Sequence, residues 1–112
     1  MFVSLAKIEC NNIRDWDSFH REFNRVFYFP EFYGRNMDAW IDCMSSLDCP
    51  EDGLTGIHCE PGKVIAIEPE NVNAFKIRCP EQYMAIIECS AFVNWRRIEH
   101  DEQPVLALSF NV

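Results

Sequence analysis

The stretch Pro30-Glu31-Phe32-Tyr33-Gly34-Arg35-Asn36-Met37-Asp38-Ala39-Trp40-Ile41-Asp42-Cys43 decides how the rest of the chain is read. Its first six residues, with Pro30 and Gly34, read as a loop. Asn36 is a good N-cap, and Met37, Trp40, Ile41, Met44 and Leu47 recur at helical spacing, so a helix begins near Asn36 and turns those residues inward. Asp38 and Asp42 stand four apart beside Ser45, roughly a quarter-turn or more from that stripe, and form an acidic ridge in solvent. Like charges at this spacing cost roughly 0.2–0.5 kcal/mol, so helix stability does not ask for the pair. A plainer reading also stands: Asp38 complements the helix dipole and Asp42 is one more solvated acid.

On the N-terminal side, Trp16, Phe19, Phe23, Val26 and Phe27 follow a helical period from Asp15 to about Tyr28, with Pro30 ending the run. His20, Arg21, Glu22, Asn24 and Arg25 fall elsewhere on that wheel. Before it, Phe2 to Glu9 alternates loosely, Phe2, Ala6 and Ile8 opposite Val3 and Leu5, and predicts a first strand followed by a turn at Cys10-Asn11-Asn12. On the C-terminal side, residues 48 to 63 hold Pro50, Gly53, Gly56, Pro61 and Gly62 and read as a loop, long enough to be functional or an insertion. Val64-Ile65-Ala66-Ile67 predicts a strand covered on both faces and stopped by Pro69. A short helix is expected over 70–77. Pro80 and Glu81 open a long helix that carries Met84, Ile87, Ala91, Trp95 and Ile98 at helical spacing and ends before Pro104. Val105 to Leu108 with Phe110 makes a third strand. Strands separated by helices predict an α/β fold: a small three-stranded parallel sheet with right-handed crossovers and helices packed on it.

A chain of 112 residues has interior enough for one core, so residues 1–112 are read as a single domain. Nine Phe, three Tyr and three Trp supply that core without help from metal or disulfides. Eighteen acidic against ten basic residues give a net charge of -8, which repels nucleic acid and anionic lipid and favours a basic partner. The opening Met1 to Lys7 is too short and interrupted for a signal peptide, and no apolar run approaches the ~18 residues that cross a bilayer, so a cytoplasmic protein without membrane contact is expected. The six cysteines repeat no C-x-x-C spacing and read as mostly buried reduced thiols. Two other chemistries are conceivable from the residues: a metal site from Cys49, His58 and Cys59 with Cys43 nearby, and a cysteine enzyme using His20, His58 or His100. Adjacent His58 and Cys59 chelate poorly, and no nucleophile-elbow, metalloprotease or glycine-rich phosphate motif is present. No cofactor, metal or catalytic residue is therefore expected.

Read as a whole, the opening stretch resembles the barstar family of intracellular ribonuclease inhibitors, whose pattern is Pro-x-aromatic-Tyr-Gly-x-Asn-x-Asp-Ala-x-x-Asp. Pro30, Tyr33, Gly34, Asn36, Asp38, Ala39 and Asp42 match it, with Phe32 at the aromatic position. The resemblance implies a barstar-like fold, no enzyme activity, and a one-to-one complex in which the loop and helix plug the active site of a basic ribonuclease or toxin. It implies that Asp42 enters the phosphate pocket, Asp38 pairs with basic residues at its edge, Phe32 packs on a catalytic surface group, and Gly34 and Asn36 shape the loop. Ile41 and Ser45 complete the expected partner-binding set. The sequence departs from the family at Phe32, which lacks a tyrosine hydroxyl, at Arg35, a cation in place of an acid, and at Ile41 in place of a tryptophan. The family also uses an acid from a later helix, which the pattern does not place here. A barstar-like module that binds another basic partner, without nuclease inhibition, is the alternative.

Overall fold

Two helices separate each strand from the next, and crossovers of that length return the chain for parallel pairing. The computed structural model describes residues 3–110. Among them the strands are β1 (Val3–Glu9), β2 (Val64–Glu70) and β3 (Leu106–Leu108), and the α-helices are α1 (Trp16–Phe27), α2 (Met37–Met44), α3 (Val72–Arg78) and α4 (Pro80–Glu99). The sheet order is β1-β2-β3, with Val3 opposite Val64 and Ile65 opposite Leu106, both pairs parallel. Phe2, expected to open the first strand, lies outside the described residues. Cys10–Asn12 forms a single 3-10 turn where a turn is predicted.

The expectation that the central strand is covered on both faces holds at its centre, where Ile65 and Ile67 on one face and Ala66 on the other are all buried. Ala6, Ile8 and Leu106 join Ile65 and Ile67 in the core, and on the other face the flanking strands are open, with Leu5 and Ala107, register partners of the buried Ala66, exposed. Pro69, however, does not stop the strand, which runs to Glu70. Ile65 donates to Val105 O and Ile67 accepts from Ser109 N–H, so in period-two step Pro69 faces the side where β3 has already ended, and its missing N–H breaks no ladder bond. β3 is shorter than predicted, with Val105 and Phe110 outside it.

Helix α1 starts on a reciprocal capping box: Asp15 Oδ1 accepts from Ser18 N–H (2.8 Å) and Ser18 Oγ from Asp15 N–H (3.0 Å). It ends at Phe27, with Tyr28 in the left-handed region (φ 55°) and Phe29 N–H donating to Asn24 Oδ1 (2.9 Å). Phe19, Phe23 and Phe27 are fully buried. His20 and Glu22, read as lying off the apolar face, are buried as well. Each has partners to compensate. Glu22 accepts from Glu9 N–H (2.8 Å), from Asn12 Nδ2 (3.0 Å) and from Arg25 Nη2 (2.6 Å), which ties α1 to the end of β1.

The apolar stripe predicted on the long helix is also corrected. In α4 the buried residues are Gln82, Ile86, Ser90, Val93 and Arg97, whereas Met84, Ala91, Trp95 and Ile98 are exposed and Ile87 is half-buried. Residues 48–63 lie against the body of the protein. Gly56 N–H donates to Phe27 O (2.8 Å), Cys59 N–H to Leu47 O (3.0 Å), and Leu54 and Ile57 pack on the core. A Cβ at Gly56 would stand 2.5 Å from Tyr28 Cβ, so the chain passes there only as glycine. All six cysteines are free thiols, three buried and three half-buried. No helix of the described residues is long and apolar enough to cross a membrane.

Candidate functional site

Helix α2 is fixed from behind by Trp40, Cys43 and Met44, all buried, and Leu47 just beyond its end joins the same core. Met37 and Ile41 are half-buried at the edges of that stripe. The N-terminus is closed by Asn36, whose Oδ1 accepts from Ala39 N–H (2.8 Å) while its Nδ2 donates to Gly34 O (3.3 Å). A Cβ at Gly34 would lie 3.2 Å from that Nδ2, so Gly34 and Asn36 together hold the loop against the helix start.

The loop is braced on α1. Tyr33 Oη and His20 Nδ1 are 2.5 Å apart, and the Tyr33 ring packs on Phe29 with centroids 4.4 Å apart. Burial, helped by the Arg35 cation, pushes the His20 pKa below its ordinary value, so the imidazole is neutral and serves structure. Arg35 sits at φ 54° and pairs with Asp17 of α1 at 3.1 Å. Phe32, at the loop tip, is 77% exposed.

The front of α2 therefore presents Asp38 and Asp42 to solvent from a rigid support, and the loop that precedes it exposes the Phe32 ring. One neighbour was not foreseen. Arg96 of α4 places Nη2 3.3 Å from Asp42 Oδ1 and 2.7 Å from Ser45 Oγ, so the side chain that a later helix brings to this face is a cation. Nothing local in the sequence signals the pairing, because the residues are 54 apart. Behind it, Arg97 is buried and donates to Ser45 O (2.7 Å), Gln103 O (2.7 Å) and both Asp48 oxygens (3.1 and 2.6 Å), locking the end of α2 to α4. Between these elements lies an open cleft of about 560 Å³ lined by Asp42, Ser45, Asp52, Arg96 and His100.

The cysteines and histidines that could support other chemistry do not converge among the described residues. Cys49 Sγ lies 3.0 Å from Glu51 Oε1, Cys59 Sγ 3.6 Å from Lys63 O, and His58 Nδ1 3.4 Å from Thr55 Oγ1. No group of three or more metal-ligating side chains is assembled among the described residues. Burial, with Asp42 adding to it, pushes the Cys43 thiol up to about 11, and burial pushes Cys10 up to about 12, the reverse of what a nucleophilic cysteine needs.

Sheet, helices and site define a small α/β protein whose distinctive surface is a helix face carrying carboxylates. A family model described as Barstar (barnase inhibitor) matches residues 3–107, nearly the whole chain, and the chain belongs to the Barstar family. Members of that family are inhibitors, and membership supports a ribonuclease-inhibitor type of role at the level of the family. No curated protein matches the chain significantly.

Proposed function

We propose that this protein is an intracellular, immunity-type inhibitor of a bacterial ribonuclease, binding it one to one and closing its active site with α2 and the loop before it. The observation that carries the reading is the pair Asp38 and Asp42, exposed on one face of a capped helix whose opposite face is packed into the core. A ribonuclease cleft must hold cations to bind phosphate, and two carboxylates on a preorganised support are complementary to it without loss of side-chain freedom to a flexible loop. Phe32, exposed in the loop before α2, supplies apolar area of the kind found at the centre of tight interfaces. Gly34 and Asn36 position the loop, Ile41 contributes its half-exposed edge, and Ser45 reaches the face through Arg96.

The experiment is a titration of purified protein against a panel of small bacterial ribonucleases, together with any basic toxin encoded beside it. Stoichiometric inhibition of one of them, with no hydrolysis of RNA by the inhibitor alone, is the expected result. No inhibition anywhere, with recovery of a basic non-nuclease partner, would replace this reading with a barstar-like module for that partner.

A further inference from the structure

Asp42, the carboxylate assigned to the phosphate pocket, already has a cation beside it. Arg96 is held there from two sides. Its Nη2 donates to Ser45 Oγ at 2.7 Å, and that hydroxyl in turn donates to Ile41 O at 2.6 Å, so the lone pair offered to Arg96 is fixed in place by the helix. On its other side the guanidinium lies over the Phe92 ring, 6.0 Å from the centroid, and Phe92 packs against Trp95 with ring centroids 5.7 Å apart. The side chain is 34% exposed, so a partner that covers Asp42 takes what remains of Arg96 out of water.

We propose that Arg96 sets the specificity of the α2 face: the matching surface offers a cation to Asp42 and an acceptor, a carboxylate or carbonyl oxygen, to Arg96, and a cleft lined only by cations is disfavoured. The proposal deepens the inhibitor reading and rests on it. Asp42 Oδ1 is 3.3 Å from Arg96 Nη2, so a cation within about 4 Å of that oxygen stands within roughly 7.3 Å of Nη2, inside the ~8 Å over which salt screens charge at physiological strength. Repulsion at that range acts against the partner unless something opposite neutralises Arg96. A guanidinium has five N–H donors, and Nη2 alone serves Asp42 and Ser45, so Nε and Nη1 remain to meet an incoming acceptor. Once Asp42 is shared with an incoming cation, Arg96 is only partly compensated, and burying it in that state costs affinity unless the partner supplies an acceptor.

Barnase, whose phosphate cleft is basic, is the probe. Its dissociation constant is measured at low salt for the parent protein and for Arg96→Gln, Arg96→Glu and Arg96→Lys, with melting curves showing that each is folded. Arg96→Gln should bind barnase on the order of tenfold more tightly than the parent, Arg96→Glu more tightly still, and Arg96→Lys, which keeps the charge, should show no such gain. Adding Asp42→Ala to Arg96→Gln should erase the gain. The proposal is overturned if Arg96→Gln and Arg96→Glu bind barnase no better than the parent or not at all, or if Arg96→Lys gains as much as Arg96→Gln. Failure of the inhibitor reading itself shows elsewhere, as a parent protein that inhibits no ribonuclease in the panel.

Discussion

Asp42 and Trp40 stand two positions apart on one helix and do opposite work. Asp42 is 67% exposed in its side chain, and its ion pair with Arg96 lies at the surface, where such pairs contribute roughly 0.2–1 kcal/mol. Asp42→Ala should therefore cost less than about 1 kcal/mol in a denaturant melt. Trp40 is fully buried and packs edge-on against Phe23, so Trp40→Ala should cost about 3–5 kcal/mol by the same measurement. Glu22 is the sharper case. It is 3% exposed, and Glu22→Ala would strand the Glu9 N–H at the end of β1, so a loss of about 1–3 kcal/mol is expected from that donor alone. The acidic face of α2 was legible because its signals are local: an N-cap, an apolar stripe and two acids four apart. Arg96 beside Asp42, and the Glu9 and Asn12 donors that reach Glu22 from outside its helix, were not, because a hydrogen bond between residues far apart in the chain leaves no periodic trace.

Helix α4 shows where a periodic trace misleads. Its apolar residues at helical spacing are largely on the solvent side, while its buried side includes Gln82, Ser90 and Arg97. The reason is tertiary: Arg97 finds three acceptors, Asp48, Ser45 O and Gln103 O, that only the folded chain brings together. Replacing the exposed Trp95 with Ser should thus shift stability by no more than about 0.5 kcal/mol, whereas Arg97→Ala, which leaves Asp48 facing an empty site, should cost about 3–5 kcal/mol in the same melts. If the two variants were equally destabilised, the assignment of faces on α4 would be wrong. Strand β2 carries a milder version of the lesson. Pro69 reads as a stop, but the sheet is one strand narrower at that level and the proline costs nothing. The order of elements was recovered in full, since strand and helix periods are properties of contiguous residues.

At the scale of the molecule, one buried cluster draws on every strand and helix, so a single cooperative unfolding transition is expected. Its pH dependence follows from His20. Burial, together with Arg35, lowers the folded pKa beneath the ordinary 6.5, so below that pH the unfolded chain binds the proton and the folded one resists it. Stability is full above about pH 6.5 and falls as the pH drops toward the lower folded value, ahead of the range in which Glu22 and Asp15 titrate. Melting temperatures from pH 7 to pH 5 should decline less steeply for His20→Gln than for the parent.

Net charge of -8 acts at the same scale, by drawing in a basic partner over distances that salt shortens. The association rate with the proposed ribonuclease partner should accordingly fall as salt is raised. The affinity of that ribonuclease for Asp42→Ala, set beside the parent and beside the melting curves of both, bears most directly on whether α2 is the plug. Removing the carboxylate leaves the enzyme's phosphate-binding cations buried and unpaired, a loss on the order of 2–5 kcal/mol, or about thirtyfold and upward in dissociation constant, for which the barnase–barstar pair is the reference system. A large loss of affinity with nearly unchanged melting is the predicted result, and equal affinity of Asp42→Ala and the parent would contradict it.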